Sequence, residues 1–186
     1  MDRRLVDRAV AGDHDAFAEL ARVSIGRLFA VARLILRDQG QAEDATQEAL
    51  VAAWRDLSSL RDPDRFEAWL HRLLVHACYR ELRRARRRPV IDAGVDVLTL
   101  EPPIADASLS LADRDQLERG FRRLEPEQRA VIVLHFYAGL PLTEVADILS
   151  VPVGTAKSRL HRAIQAMRAA LEADARLASF PEGRPA

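Results

Sequence analysis

Outside one interruption, the apolar residues of this chain recur three and four positions apart and never alternate for long, so helices are the only regular structure the pattern supports. Asp13 is a natural cap for a first helix reaching about Arg37, with Phe17, Leu20, Ile25, Leu28, Phe29, Ala32 and Leu36 on its apolar side. Gly40 interrupts, and residues 41–57 form a second helix whose buried side is marked by Ala45, Ala49, Ala53, Trp54 and Leu57. Asp62-Pro63 opens a third, with Asp as cap and Pro in the first turn, carrying Phe66, Trp69, Leu70, Leu73, Leu74, Ala77 and Leu82. The interruption is residues 89–107, which contain Pro102-Pro103 and no sustained period, the signature of a linker. Helices resume near Ser110 and stop before Glu125-Pro126. They continue over about 126–138 up to Gly139, in the usual stop position, then over about 142–149 and 153–174.

Charge sharpens this division. The 186 residues hold 28 basic and 28 acidic side chains, and Lys157 is the only lysine. Residues 83–88 read RRARRR, whereas residues 90–118 set seven carboxylates against Arg114 alone. An arginine block at a helix end suits the helix dipole, and it equally suits phosphate contact. The acidic segment behind it makes the linker an acidic one.

Several function classes fall away. No apolar run approaches the roughly 18 residues of a membrane helix, and the first residues lack a signal-peptide stretch, so the expectation is a cytoplasmic protein with no membrane insertion. The lone Cys78 excludes an internal disulfide framework, and its place on an apolar helix side marks a buried, inert thiol. His71, His76 and Cys78 do not share one helix face, and no phosphate-cradling glycine loop or nucleophile elbow is present. The chain reads as no enzyme, without cofactor, metal or catalytic residues.

The segment LTEVADILSVPVGTAKSRLHRAIQAM has helix-turn-helix form. Val145, Ala146 and Leu149 line the inner side of its first helix, residues 150–153 make the turn, and Ala156, Leu160, Ile164 and Met167 bury one stripe of the second. Thr155, Lys157, Ser158, Arg159, His161 and Arg162 remain on the other side, a set of donors suited to the major groove. The fold class is therefore all-α: two small helical domains, an N-terminal bundle and a C-terminal helix-turn-helix, joined by an acidic flexible linker. In the second helix, Asp44, Gln47, Glu48, Val51 and Arg55 share an acidic, partly apolar outer face.

Three blocks in this order, AEDATQEALVAAW, FEAWLHRLLVHACYRELRRARRR and LEPEQRAVIVLHFYAGLPLTEVADILSVPVGTAKSRLHRAI, resemble bacterial RNA polymerase sigma factors of the extracytoplasmic-function group, which keep sigma domains two and four. The resemblance spans roughly residues 10–172. It implies sigma domain two over residues 1–88, the linker over 89–109, sigma domain four over 110–174 and a tail over 175–186. It further implies core RNA polymerase as partner, met at the clamp helices of the largest subunit by Asp44, Gln47, Glu48 and Val51 and at the flap of the second-largest by domain four. Promoter DNA follows as ligand. Arg61, Phe66, Arg72, His76, Arg80, Arg83 and Arg84 would take the −10 element as single strand, where a flipped base is held by stacking and edge hydrogen bonds. Thr155, Lys157, Ser158, Arg159, His161 and Arg162 would read the −35 element, and an anti-sigma factor would mask these surfaces. Family members often carry Asn at the position of His76 and Asp at that of Arg80, so the resemblance leaves the preferred −10 base open at His76, while Arg80 extends the cationic face. The rival reading is a helix-turn-helix regulator that binds DNA without joining polymerase; it leaves the acidic face of the second helix idle.

Overall fold

A computed structural model describes residues 2–87 and 111–178; the expected acidic linker and the end of the tail lie outside them. The described residues form eight α-helices and no strand. No described helix is long and apolar enough to cross a membrane.

Short carboxylates start most of the N-terminal helices, because the first turn of a helix leaves backbone N–H groups without intrahelical acceptors. A helix that the apolar pattern does not announce, α1 (Arg3–Val10), begins at Asp2, whose side chain accepts from the Arg4 N–H at 3.0 Å. Asp13 caps α2 (His14–Leu36) through the Ala16 N–H at 3.0 Å and also accepts two bonds from Arg8 at 2.9 and 2.6 Å. The Ala16 N–H, then Arg8, hold the Asp13 carboxyl below its ordinary value. Asp38 caps α3 (Gln39–Asp56) through the Gln41 N–H at 2.7 Å. That cap places Gly40 inside the first turn of α3 rather than at a break, where its backbone freedom costs little. Asp62 accepts from the Asp64 N–H at 3.0 Å and starts a single 3₁₀ turn (Pro63–Arg65) that runs into α4 (Phe66–Arg87).

The second group comprises α5 (Leu111–Arg122), α6 (Pro126–Ile132), α7 (Leu142–Ile148) and α8 (Val153–Ala178). After Ile132 the helix widens by one residue per turn over Val133–Tyr137, with the Ala138 N–H donating to the Val133 carbonyl at 2.9 Å. Gly139, at φ 72°, then ends it. Between α7 and α8 the turn places Ser150 at φ 54°, a left-handed conformation that glycine or asparagine would adopt at lower cost. The Ser150 and Val151 N–H groups close this turn onto Asp147 and Ala146.

Alanine sets the spacing of the N-terminal bundle. Ala42, Ala45, Ala49 and Ala53 of α3 are all fully buried, and this seam lets α3 lie close against both α2 and α4. Two residues expected inside are outside: Ile25 is 47% exposed and Trp54 43%. Trp54 instead packs its ring edge-on to His14 and tilted against Phe17, with centroids 4.8 and 4.9 Å apart, covering the start of α2 from the surface. Cys78 is buried, and burial pushes its thiol up to about 12, so it carries no thiolate at neutral pH.

The two groups share one core. Ala130, Val131, Val133 and Leu134 join Leu28, Val31, Ala32 and Ile35 in a continuous cluster, with α6 against α2 and α7 against α4. A satellite of Leu124, Ile132 and Ala163 holds α6 to α8.

Two substitutions test this packing. Gly26 lies mid-helix with nothing near the place of a Cβ, so Gly26→Ala should stabilise by about 0.5–1 kcal/mol, seen as a higher urea midpoint. Ala49→Leu overfills the seam and should destabilise by about 1–3 kcal/mol in the same assay.

Candidate nucleic-acid interface

One face of α4 concentrates cations. Arg72 and Arg83 are exposed, and His76 and Arg80 lie half-buried between them. Spacings of four, four and three place all four on one side of the helix. Partial burial, followed by the charges of Arg72, Arg80 and Arg83, lowers the His76 pKa, so the imidazole is neutral at pH 7. A phosphate above it would act in the opposite sense and favour the charged form.

Arg80 is not free on this face. Its Nε stands 2.9 Å from Glu48 Oε1, Arg84 Nη1 is 3.7 Å from Glu48 Oε2, and Arg84 also pairs with Glu81. Helical spacing groups Glu48 with the outer stripe of α3, yet its carboxylate turns toward α4. Asp44, Gln47 and Val51 do stand exposed, Val51 by 47%. The acidic stripe of α3 and the cationic face of α4 are therefore neighbouring surfaces joined through one carboxylate.

At the start of α4, Phe66 keeps the apolar place that its spacing predicts and departs from the −10 contact expected of it. Its ring is 2% exposed and sits in the core, 5.9 Å from the Trp69 ring, because it opens α4 on the buried stripe. Phe66 fixes the start of the helix from beneath and offers no ring to a base. Arg61 and Arg65 are exposed and, with Arg72 and Trp69, line one wall of a cleft of about 720 Å³. The opposite wall is α7 and the turn after it, including Glu144, Asp147 and Ser150. Arg65 Nη2 lies 3.5 Å from Asp147 Oδ2 across the cleft.

On α8, Ala156 and Ala163 are buried toward the rest of the group, with Leu160, Ile164 and Met167 half-buried beside them. Lys157, Ser158, His161 and Arg162 are exposed together. The Ser158 hydroxyl donates to the Thr155 carbonyl at 2.9 Å, and Arg162 reaches the Ser158 carbonyl and hydroxyl at 3.3 and 3.4 Å, which sets the guanidinium along the helix. Thr155 and Arg159 differ in degree, both being half-buried. Arg159 bears electrostatically on Tyr79 of α4, whose phenol is pushed up to about 12 by burial, then by Glu127, with Arg159 opposing.

Sequence reasoning passes over Arg129. Its guanidinium is 8% exposed and donates from Nε to the Ile35 carbonyl at 2.6 Å and from Nη1 to the Leu124 carbonyl at 2.7 Å. Burial, then the charge of Arg37, brings its pKa down to about 10, so it remains a cation at neutral pH. Beside it Arg37 donates to the Glu118 carbonyl at 3.3 Å and pairs with the Glu118 carboxylate at 3.6 Å. The available signal is an arginine at the edge of the apolar run Ala130–Leu134, a charge among residues that must be buried.

Residues 20–88 match the family model described as Sigma-70 region 2, and residues 114–167 match Sigma-70, region 4. The chain is 37% identical over 162 residues to the extracytoplasmic-function RNA polymerase sigma factor SigM of Mycobacterium tuberculosis, covering 87% of this chain and 80% of that protein. It is 29% identical over 178 residues to SigW of Bacillus subtilis, covering 90% and 95%. Among solved structures it is similar to the sigma factor RpoE of Bartonella quintana, crystallised with the anti-sigma factor NepR: TM-score 0.65, 25% identity, 85% of this chain and 98% of that one. The chain belongs to the extracytoplasmic-function sigma factors of the sigma-70 family. It acts with RNA polymerase in promoter-specific initiation of transcription and is not an enzyme.

The depressed pKa of His76, and that of buried His71, which desolvation lowers, give a pH dependence of known sign. The unfolded chain takes up these protons near the ordinary 6.5, and the folded chain only below that. Stability should therefore fall as the pH drops from about 7 toward about 5, and His76→Gln should flatten part of that decline in urea midpoints measured across the window.

Proposed function

We propose that α1–α4 serve as sigma domain two and α5–α8 as sigma domain four, with a division of labour set by the charge on each face. Asp44, Gln47 and Val51 form the surface for the clamp helices of the polymerase largest subunit, an acidic and partly apolar stripe suited to a basic partner. Arg61, Arg72, His76, Arg80, Arg83 and Arg84 engage the −10 element as single strand, and Lys157, Ser158, Arg159, His161 and Arg162 the −35 element. Domain four meets the flap of the second-largest subunit. The crystallised relative held by NepR supports an anti-sigma partner for this chain as well, and the working compartment is the cytoplasm.

The observation that carries this reading is the side-by-side placement of an exposed acidic stripe on α3 and an arginine face on α4 within a chain of this family. A regulator that only binds duplex DNA has no use for the first, and the family membership does not favour it.

Run-off transcription with core polymerase and a pool of promoter fragments tests the division. Asp44→Arg with Val51→Arg should abolish specific transcripts and core binding while leaving duplex binding intact. Glu48 is spared because a cation there would repel Arg80 and Arg84 and confound the result. Arg162→Ala should cost about 1–3 kcal/mol in promoter binding, or reduce its salt slope by about one, with core binding unchanged. Loss of the same activity in both variants would overturn the division.

A further inference from the structure

Four charged side chains cancel one another where α4 meets α3. Arg80 Nε stands 2.9 Å from Glu48 Oε1, Arg84 Nη1 stands 3.7 Å from Glu48 Oε2, and Arg84 pairs with Glu81 as well. Two guanidiniums against two carboxylates leave this cluster without net charge. Arg72 and Arg83 lie at the two ends of the face, exposed and paired with no carboxylate among the described residues. Between them, the His76 imidazole next to Arg80 is neutral at pH 7. The face therefore has a cation at each end and a neutral middle.

That distribution separates two ways of meeting DNA. A phosphate is drawn by net charge, and a guanidinium already matched by a carboxylate attracts it little, because the carboxylate repels it over the same range. A base edge carries no charge and needs donors in a fixed direction. Arg80 has that direction. Its Nε and the Glu48 Oε2 are closed to water, while the Arg80 side chain as a whole keeps 39% of its exposure, so the Nη1 and Nη2 edge faces outward. An end-on pair of N–H donors matches the O6 and N7 acceptors of guanine. We propose that Arg80 reads a guanine in the −10 strand and that Glu48 is its positioning residue, serving the DNA site rather than the polymerase surface. One helical turn separates Arg80 from His76, about 5.4 Å against about 3.4 Å between stacked bases. The guanine therefore lies one or two positions from the base that His76 meets.

This inference rests on the assignment of α4 to the −10 element, and its test separates the two. Holoenzyme made from core polymerase and the full chain would be offered promoter fragments randomised over the −10 element, and the bound fragments sequenced across a salt series. Wild type should enrich guanine one or two positions from the one that His76→Ala changes. Arg80→Lys keeps the charge and loses the fork, so it should cut that enrichment by about five- to a hundredfold while other positions hold. Glu48→Gln keeps the size and removes the charge that holds Arg80. It should weaken the same guanine preference and steepen the salt slope by about one, since a released guanidinium is drawn to phosphate. Core binding should be unchanged in both. Arg83→Ala gives the contrast, a salt slope smaller by about one with the guanine preference intact. A guanine preference retained in Arg80→Lys, or an equal loss at every sequence, would overturn base reading by Arg80. Loss of core binding in Glu48→Gln, or a full guanine preference there, would overturn its positioning role. If wild type enriches no −10 sequence, the assignment of α4 falls and this inference with it. Enrichment indifferent to Arg80 and Glu48 removes the inference alone.

Discussion

A guanidinium with almost no access to water holds the second half of this chain to the first. The carbonyls at the end of α2 have no partner within their helix. Arg129, reaching from α6, supplies a donor to one of them at Ile35 while a second donor satisfies Leu124. The residue that follows α2 cooperates: Arg37 takes a left-handed conformation, φ 62°, and its side chain turns to Glu118. A buried cation without acceptors would be strongly destabilising, so these bonds confine α6 to one position along α2. From that placement follow the shared core, the approach of α7 to α4 and the cleft between them.

Within the first group, α3 has a comparable organising role. Its alanine seam brings it close enough to α4 for Glu48 to cross to Arg80 and Arg84. The surface we propose for polymerase and the surface we propose for DNA then meet at a single carboxylate. Whatever draws on Glu48 from the α3 side changes the freedom of the two arginines on the other.

The helices are legible in the sequence because each depends on local rules: apolar residues at three and four, a carboxylate before the first turn, and glycine after the last at Gly139. Family and function are legible because the ordered sequence blocks are intact. The misses have a different origin. Helix α1 spans only eight residues, so the period of Leu5, Val6, Ala9 and Val10 runs for barely two turns and does not register. Ile25 and Trp54 lie at the margin of their apolar stripes, where the neighbouring helix decides which side is covered. Phe66 has two expected places, on the apolar stripe and against a base, and the stripe takes it. Glu48 and Arg129 find their partners on other helices, Arg129 over 94 residues, and no spacing within a helix can announce a partner that distant.

The cleft between Arg61, Arg65 and Arg72 and the carboxylates of α7 has one more implication. A guanidinium keeps its proton across every pH at which a protein of this kind stays folded, and it has no acylable amine. Lysine would have allowed such a surface to be tuned by proton loss or acylation, and this chain places its only lysine on α8. The charge of these three side chains is therefore fixed against pH and acylation. What can vary is the salt that screens them and which anion stands in front of them at a given moment.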